Sequence, residues 1–419
     1  MEIKTTEAQR LQRRDDRELV AYLRSPGAIR ERCGQLFELA VEGQSRHFSC
    51  NLTQLPKVAE YVTRVIREQY PDLQIPFHSR WRHFEAGGVP RLSQLDQKLA
   101  GLTPLEKAVA KFDLAIISVL LDAGAGDSWY YRERETQLDF RRSEGLAVAS
   151  FQMFCDGTFS SNKQVVPLQV NAQRLQALTE KELADGFGVN GNNPLVGIAG
   201  RLQLLQKLGQ VLFCSPHLFG EQNPRPGNLV RYFIENSDNK KLVAATVLSA
   251  VLEGFSEIWS GRIEVAGINL GDVWFHPSVS DDGLVPFHKL SQWLTYSLLE
   301  PLEELGLEII GLDALTGLAE YRNGGLCLDL GLISPKDPEI LLQPYRVASE
   351  VIVEWRALTV ILLDHIAATV REKLGMSAEE LPLVKILQGG TWTAGRKIAA
   401  ERRKGGIPPI QIESDGTVF

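Results

Sequence analysis

A lysine and a carboxylate, each set in apolar sequence, are the residues of this chain best suited to chemistry. Lys289 lies in Phe287-His288-Lys289-Leu290-Ser291-Gln292-Trp293, and Glu320 opens Glu320-Tyr321-Arg322-Asn323-Gly324-Gly325. Lys or Glu drawn into a core is costly unless paired or put to use. An ammonium and a carboxylate among Arg, Asn, His and aromatic side chains form a cell able to bind a polar sugar and act on its anomeric bond. Asp313 and Asp329 flank the second segment and are further acid candidates. On a helix Lys289 and Trp293 share one face, and His288 and Gln292 the next. Gly324-Gly325 would let a ligand approach the backbone closely. The competing reading is plainer: an apolar core helix with a few surface polar groups, and Glu320 paired with Arg322.

Other chemistries find less support. Gly186-x-Gly188-x-x-Gly191 spells the dinucleotide fingerprint, but that fingerprint needs a strand before it and a helix directly after it. Here a polar helical stretch precedes it and Asn192-Asn193-Pro194 follows, so an irregular Gly/Asn loop is the default. No HExxH, HxH or CxxC spacing marks a metal site, and no G-x-S-x-G elbow marks a serine nucleophile. No metal and no cofactor are expected. Thr391-Trp392-Thr393-Ala394-Gly395-Arg396-Lys397 has the look of a helix start, whose free N–H groups would suit a phosphate aided by Arg396. A solvated basic helix explains the same letters equally well.

Helices must position these groups. Ile29, Cys33, Leu36, Phe37 and Ala40 recur at helical spacing, as do Val58, Tyr61, Val62, Val65 and Ile66. Thr103-Pro104 opens a helix apolar on most faces towards its end, which predicts deep burial. Residues 146–154 fit helix or strand. Tyr345 to Leu374 reads as one long helix, and Phe287 to Leu305 as another, interrupted at Pro301. The glycine-spaced stretch from Ile309 to Leu332 reads as short strands. Pro216 to Pro226 is rich in Pro and Asn and marks a joint between lobes 1–215 and 227–419, within one unit spanning 1–419. The fold expected is mainly α with a minor β element.

The chain has 419 residues and a net charge of −7, which argues against a dedicated nucleic-acid surface. The N-terminus lacks a signal-peptide core, and no apolar run approaches a membrane span. Five scattered cysteines without CxxC read as reduced thiols. These features predict a cytoplasmic protein with a small-molecule partner, and neither nucleic acid nor membrane.

Five segments together are distinctive: Trp129-Tyr130-Tyr131-Arg132, Ser143–Phe151, Phe287–Tyr296, Glu320–Gly325 and Glu354-Trp355-Arg356-Ala357-Leu358-Thr359. They resemble the uracil-catabolism family of the fungal and bacterial URC/urg type, over nearly the whole chain. That resemblance implies a uracil route passing through a ribosylurea-type intermediate. Phe287-His288-Lys289 with Gln292, then Glu320-Tyr321-Arg322, is also similar to two segments of the queuosine 5′-phosphate N-ribohydrolase family. That likeness implies a helical, DNA-glycosylase-like bundle with additional helices, and active-site roles for Lys289 and Glu320. Glu stands here where that family has Asp, which bears on whether the acid reaches the anomeric carbon directly or through water.

The expectation is an N-glycoside hydrolase that releases urea and a pentose from a ribosylurea or its 5′-phosphate. Glu320 or Asp329 would stabilise the oxocarbenium-like sugar or deprotonate water, beside Lys289. Arg322 and Arg396 would hold phosphate; Trp129, Trp293 or Trp355 would wall the pocket; Tyr321, Asn323, His288, Gln292 and Arg356 would complete it. Two alternatives stand beside it: a non-catalytic binding or regulatory protein of the same pathway, and a metal-dependent amide or phosphate hydrolase.

Overall fold

The computed structural model describes residues 7–126, 128–259, 262–280 and 282–413, and for 7–14 the backbone alone. Helix dominates these residues. Every strand among them is two or three residues long and belongs to a two-stranded pair. The mainly α fold with a minor β element is therefore borne out. Among the described residues no helix is long and apolar enough to cross a membrane.

Two compact units share the chain. One comprises the N-terminal stretch to Pro76, Trp259–Lys289 and Asp313–Glu413; the other comprises Phe77–Ile258 and Leu290–Leu312. The helix Lys289–Glu304 thus begins in the first unit with Lys289 and continues in the second.

The first unit is built on the helix Glu350–Leu374, buried along most of its length. Helices Pro26–Val41 and Leu55–Gln69 pack on it with the apolar faces read from their spacing. Gly375 ends it at φ +68, a conformation that costs glycine little. The helix Tyr321–Asp329 packs between this helix and Trp392–Arg402. Gly324 permits one contact: a Cβ there would lie 2.8 Å from the Trp355 ring and from Thr359 Oγ1. Gly395 permits the other, since a Cβ there would strike the Arg322 carbonyl.

The second unit centres on Pro104–Leu120, started by a Thr103/Glu106 capping box and buried as expected. Asp113, fully buried within it, accepts hydrogen bonds from the N–H groups of Val170 (2.8 Å) and Gly227 (2.7 Å) and pairs with Arg225. The Pro/Asn-rich segment 216–226 lies inside this unit, tied to its core through Arg225. Residues 146–154 fall in the helix Arg142–Cys155.

Three readings change. Tyr321–Asp329 is helix rather than strand, because Glu320 supplies the N-terminal cap and the glycines serve helix packing. The long C-terminal helix starts at Glu350, after a short strand Pro344–Arg346 pairs with Gln411–Glu413. Pro301 does not interrupt its helix: Ser297, whose carbonyl loses a partner when Pro301 lacks an N–H, accepts the Trp81 indole N–H at 2.7 Å instead.

Candidate active site

The hairpin Val273–Phe275/Leu284–Pro286 delivers the chain to Phe287 and His288, and the next residue, Lys289, opens a helix. His288 makes the elbow at φ +46, a left-handed conformation that is strained for a residue with a Cβ. Its ring is buried, with Nε2–H donating to the Leu23 carbonyl at 2.8 Å. Burial lowers its pKa, so the ring stays neutral. His288 therefore aims Lys289 through its own backbone, and its buried Nδ1 has no hydrogen-bond partner among the described residues.

Asp272 fixes the elbow. Its carbonyl accepts the N–H groups of Phe287 (2.9 Å) and His288 (3.3 Å). Its carboxylate accepts the Lys289 N–H at 3.0 Å and the Trp274 indole N–H at 2.7 Å. Arg356 grips both carboxylate oxygens at 2.8 and 2.7 Å, with its guanidinium 4.0 Å from the Phe287 ring centroid. Burial pushes the Asp272 carboxyl up, but the Arg356 guanidinium and the two N–H donors outweigh it and hold the carboxyl well below the usual range. The Arg356 Nε–H also donates, at a longer 3.4 Å, to the carbonyl of Ala319, the residue before Glu320. One guanidinium thus ties the Lys289 elbow to the Glu320 segment.

Glu320 is 9% exposed and caps its helix: Oε1 accepts the Asn323 N–H at 2.7 Å, Oε2 the Arg322 N–H at 2.8 Å. Burial raises its pKa, against the lowering pull of those N–H groups and of the Lys289 and Arg322 charges. The Lys289 ammonium is thus near enough for its field to act on the Glu320 carboxyl. Asn323 donates to the Leu318 carbonyl at 3.1 Å, and its buried Oδ1 has no hydrogen-bond partner among the described residues. Arg322 donates to the Gly406 carbonyl at 2.7 Å and lies over the Tyr321 ring, so part of its donor set is already committed.

Several expected site residues lie elsewhere. Asp329 forms a bidentate pair with Arg403, both bonds 2.6 Å, at the far end of the nine-residue helix that Glu320 caps. At 1.5 Å per residue that is about 13 Å away, so the two acids do not share a cell. Trp355 is a packing residue whose indole N–H donates to the Gly324 carbonyl at 3.2 Å. Gly324 makes room for that ring rather than for a ligand. Arg396 is exposed and lies over Trp392. The expected helix start at 391–397 does not exist: Thr391 is already helical (φ −63, ψ −42), and the helical run from Leu383 continues into Trp392–Arg402 through a π turn. Its N–H groups are spent inside the helix. Gln292, Trp293 and Trp129 belong to the second unit. There Trp293 packs against His83 and Arg80, and the fully buried Trp129 donates to the Phe187 carbonyl at 3.2 Å.

Asp272 was missed by sequence reasoning. The available signal was a lone acid between Gly271 and the apolar strand Val273–Phe275, the same pattern that singled out Lys289 and Glu320.

Residues 22–419 match a family described as "Protein of unknown function (DUF1688)". The chain is 41% identical over 410 residues to "Protein urg3" of Schizosaccharomyces pombe, covering 96% of this chain and 99% of that protein. It is 39% identical over 440 residues to "Uracil catabolism protein 4" of Lachancea kluyveri, again covering 96% and 99%. The resemblance read from the five segments is borne out, and with a match this complete the chain belongs to the DUF1688 family.

Proposed function

We propose that this protein acts in uracil catabolism as an N-glycoside hydrolase, cleaving a ribosylurea or its 5′-phosphate to urea and a pentose. The name carried by the Lachancea relative supports the pathway. The observation that carries the reaction is a buried carboxylate on a segment that one arginine, through the Ala319 carbonyl and Asp272, joins to the Lys289 elbow. Departure of urea from C1 leaves an oxocarbenium-like sugar. The Lys289 ammonium gives a proton to the leaving urea nitrogen; the Glu320 carboxylate stabilises the cation, takes a proton from the attacking water and returns it to Lys289. Burial raises the pKa of this carboxyl, the direction that makes a carboxylate a stronger base. The test is urea release by purified protein from ribosylurea and from its 5′-phosphate. Turnover that falls in Glu320→Gln supports the reading; no urea from either substrate overturns it.

A second reading has its own observation. Both Glu320 oxygens already accept backbone N–H groups, as a purely structural cap would. A binding or regulatory protein of the pathway would show ligand-induced thermal stabilisation without urea.

A further inference from the structure

The second unit holds a cavity of about 660 Å³ that the reading above does not use. Its walls are the strand Tyr131–Arg132, the C-terminal ends of helices Arg142–Cys155 and Glu180–Gly186, and the loop through Lys163. That volume suits a small metabolite. Glycine shapes two of the walls. Gly157 sits at φ +72, and a Cβ there would come 2.7 Å from Lys163 Cβ; a Cβ at Gly186 would strike the Met153 sulfur.

The lining is polar, and its cations are unevenly used. Arg174 is half-buried and fixed: Nε–H donates to the Thr158 carbonyl at 2.9 Å, and Nη2 to Glu182 at 2.6 Å. Glu182 is held in turn by the Thr179 N–H and hydroxyl. That leaves Arg174 Nη1 with no hydrogen bond to the described residues. Arg134 and Lys163 line the same cavity, and neither side chain makes a hydrogen bond or ion pair with the described residues. Three cationic groups with free donors around one concavity are an anion's complement. The acids that remain, Asp156 and Asp185, sit by the two helix C-termini, where carbonyls also accept. They would repel a phosphate and welcome hydroxyl donors. For the same reason the glycines at 186 and 188 do not cradle a phosphate: Gly186 closes a helix instead of opening one.

We propose that this cavity is a ligand site of its own, taking a small polyol phosphate with its phosphate on Arg134, Lys163 and Arg174 and its hydroxyls towards Asp156 and Asp185. The site is independent of the Lys289/Glu320 cell and stands or falls without it.

The test is calorimetric titration of the full-length protein at low salt with glycerol 3-phosphate and with inorganic phosphate, neither of which carries a glycosidic bond. Wild type should bind glycerol 3-phosphate more tightly than phosphate, and more weakly as salt rises. Arg134→Ala/Lys163→Ala, which changes two exposed side chains, should lose affinity roughly tenfold or more. Lys289→Ala should bind as wild type does. No binding by wild type, undiminished binding by the double variant, or loss of binding in Lys289→Ala each overturns the proposal.

Discussion

Replacing Asp272 by asparagine keeps the shape of the side chain and removes its charge. The guanidinium of Arg356 would then stand 3% exposed without the carboxylate that it grips at 2.8 and 2.7 Å. Breaking one partner of a buried pair costs about 3–5 kcal/mol, because the other charge is left uncompensated. The four hydrogen bonds to this carboxylate, three from side chains and one from the Lys289 backbone N–H, place Asp272→Asn within that range. Urea denaturation at pH 7 would read it as a lower midpoint at unchanged slope. The pH dependence adds a sign. The folded pKa lies below its ordinary 3.8, so the unfolded chain binds the extra proton. The stability is present above the unfolded value and is lost as pH falls through the folded one. Wild type should therefore weaken in acid below about pH 4 by a contribution that Asp272→Asn lacks. Combining Asp272→Asn with Arg356→Met should cost less than the two single changes added, since the stranded cation is gone. A loss under about 1 kcal/mol for Asp272→Asn, within the range of an ordinary surface pair, would refute the claim that this clamp holds the elbow.

Further predictions follow from the same geometry. Glu320→Gln should lower urea release about 10²–10³-fold, and in wild type the acid limb of kcat/KM should lie above the ordinary glutamate value of 4.5, because burial raises this carboxyl. A limb at or below 4.5 would remove Glu320 from the chemistry. Asp329→Asn should leave kcat within about twofold while destabilising the Arg403 contact; a collapse of kcat would restore Asp329 to the site. Gly324→Ala should cost about 1–3 kcal/mol by overpacking against Trp355, read as a drop in Tm; an unchanged Tm would show that the two helices have slack there.

Much of this was legible in the sequence where one period dominates. The helices from Pro26, Leu55 and Pro104 follow from apolar spacing and from caps or prolines at their starts. Lys289 and Glu320 stood out as charges in apolar company. What failed shares a cause: short polar signatures have several structural solutions. Glycines between Ile309 and Leu332 suggested strands and a ligand approach, yet Gly324 lies inside a helix and lets it pack close against Trp355 of another. The hydroxyl-rich 391–397 stretch has a helix start's letters without its geometry, because a π turn carries the preceding helix through it. Asp329 and Glu320 look equivalent as acids near glycines, and only the helix between them shows that they face different partners. Asp272 is brought to Arg356 by a tertiary contact, which no local pattern encodes.

The most direct measurement is urea formation from ribosylurea 5′-phosphate by purified wild type and Glu320→Gln, with folding of both verified by circular dichroism. The glycosidase assignment predicts steady urea release by wild type and a fall of at least about a hundredfold in the variant. Equal rates in the two proteins, or substrate that stabilises wild type against heat while no urea appears, would contradict it.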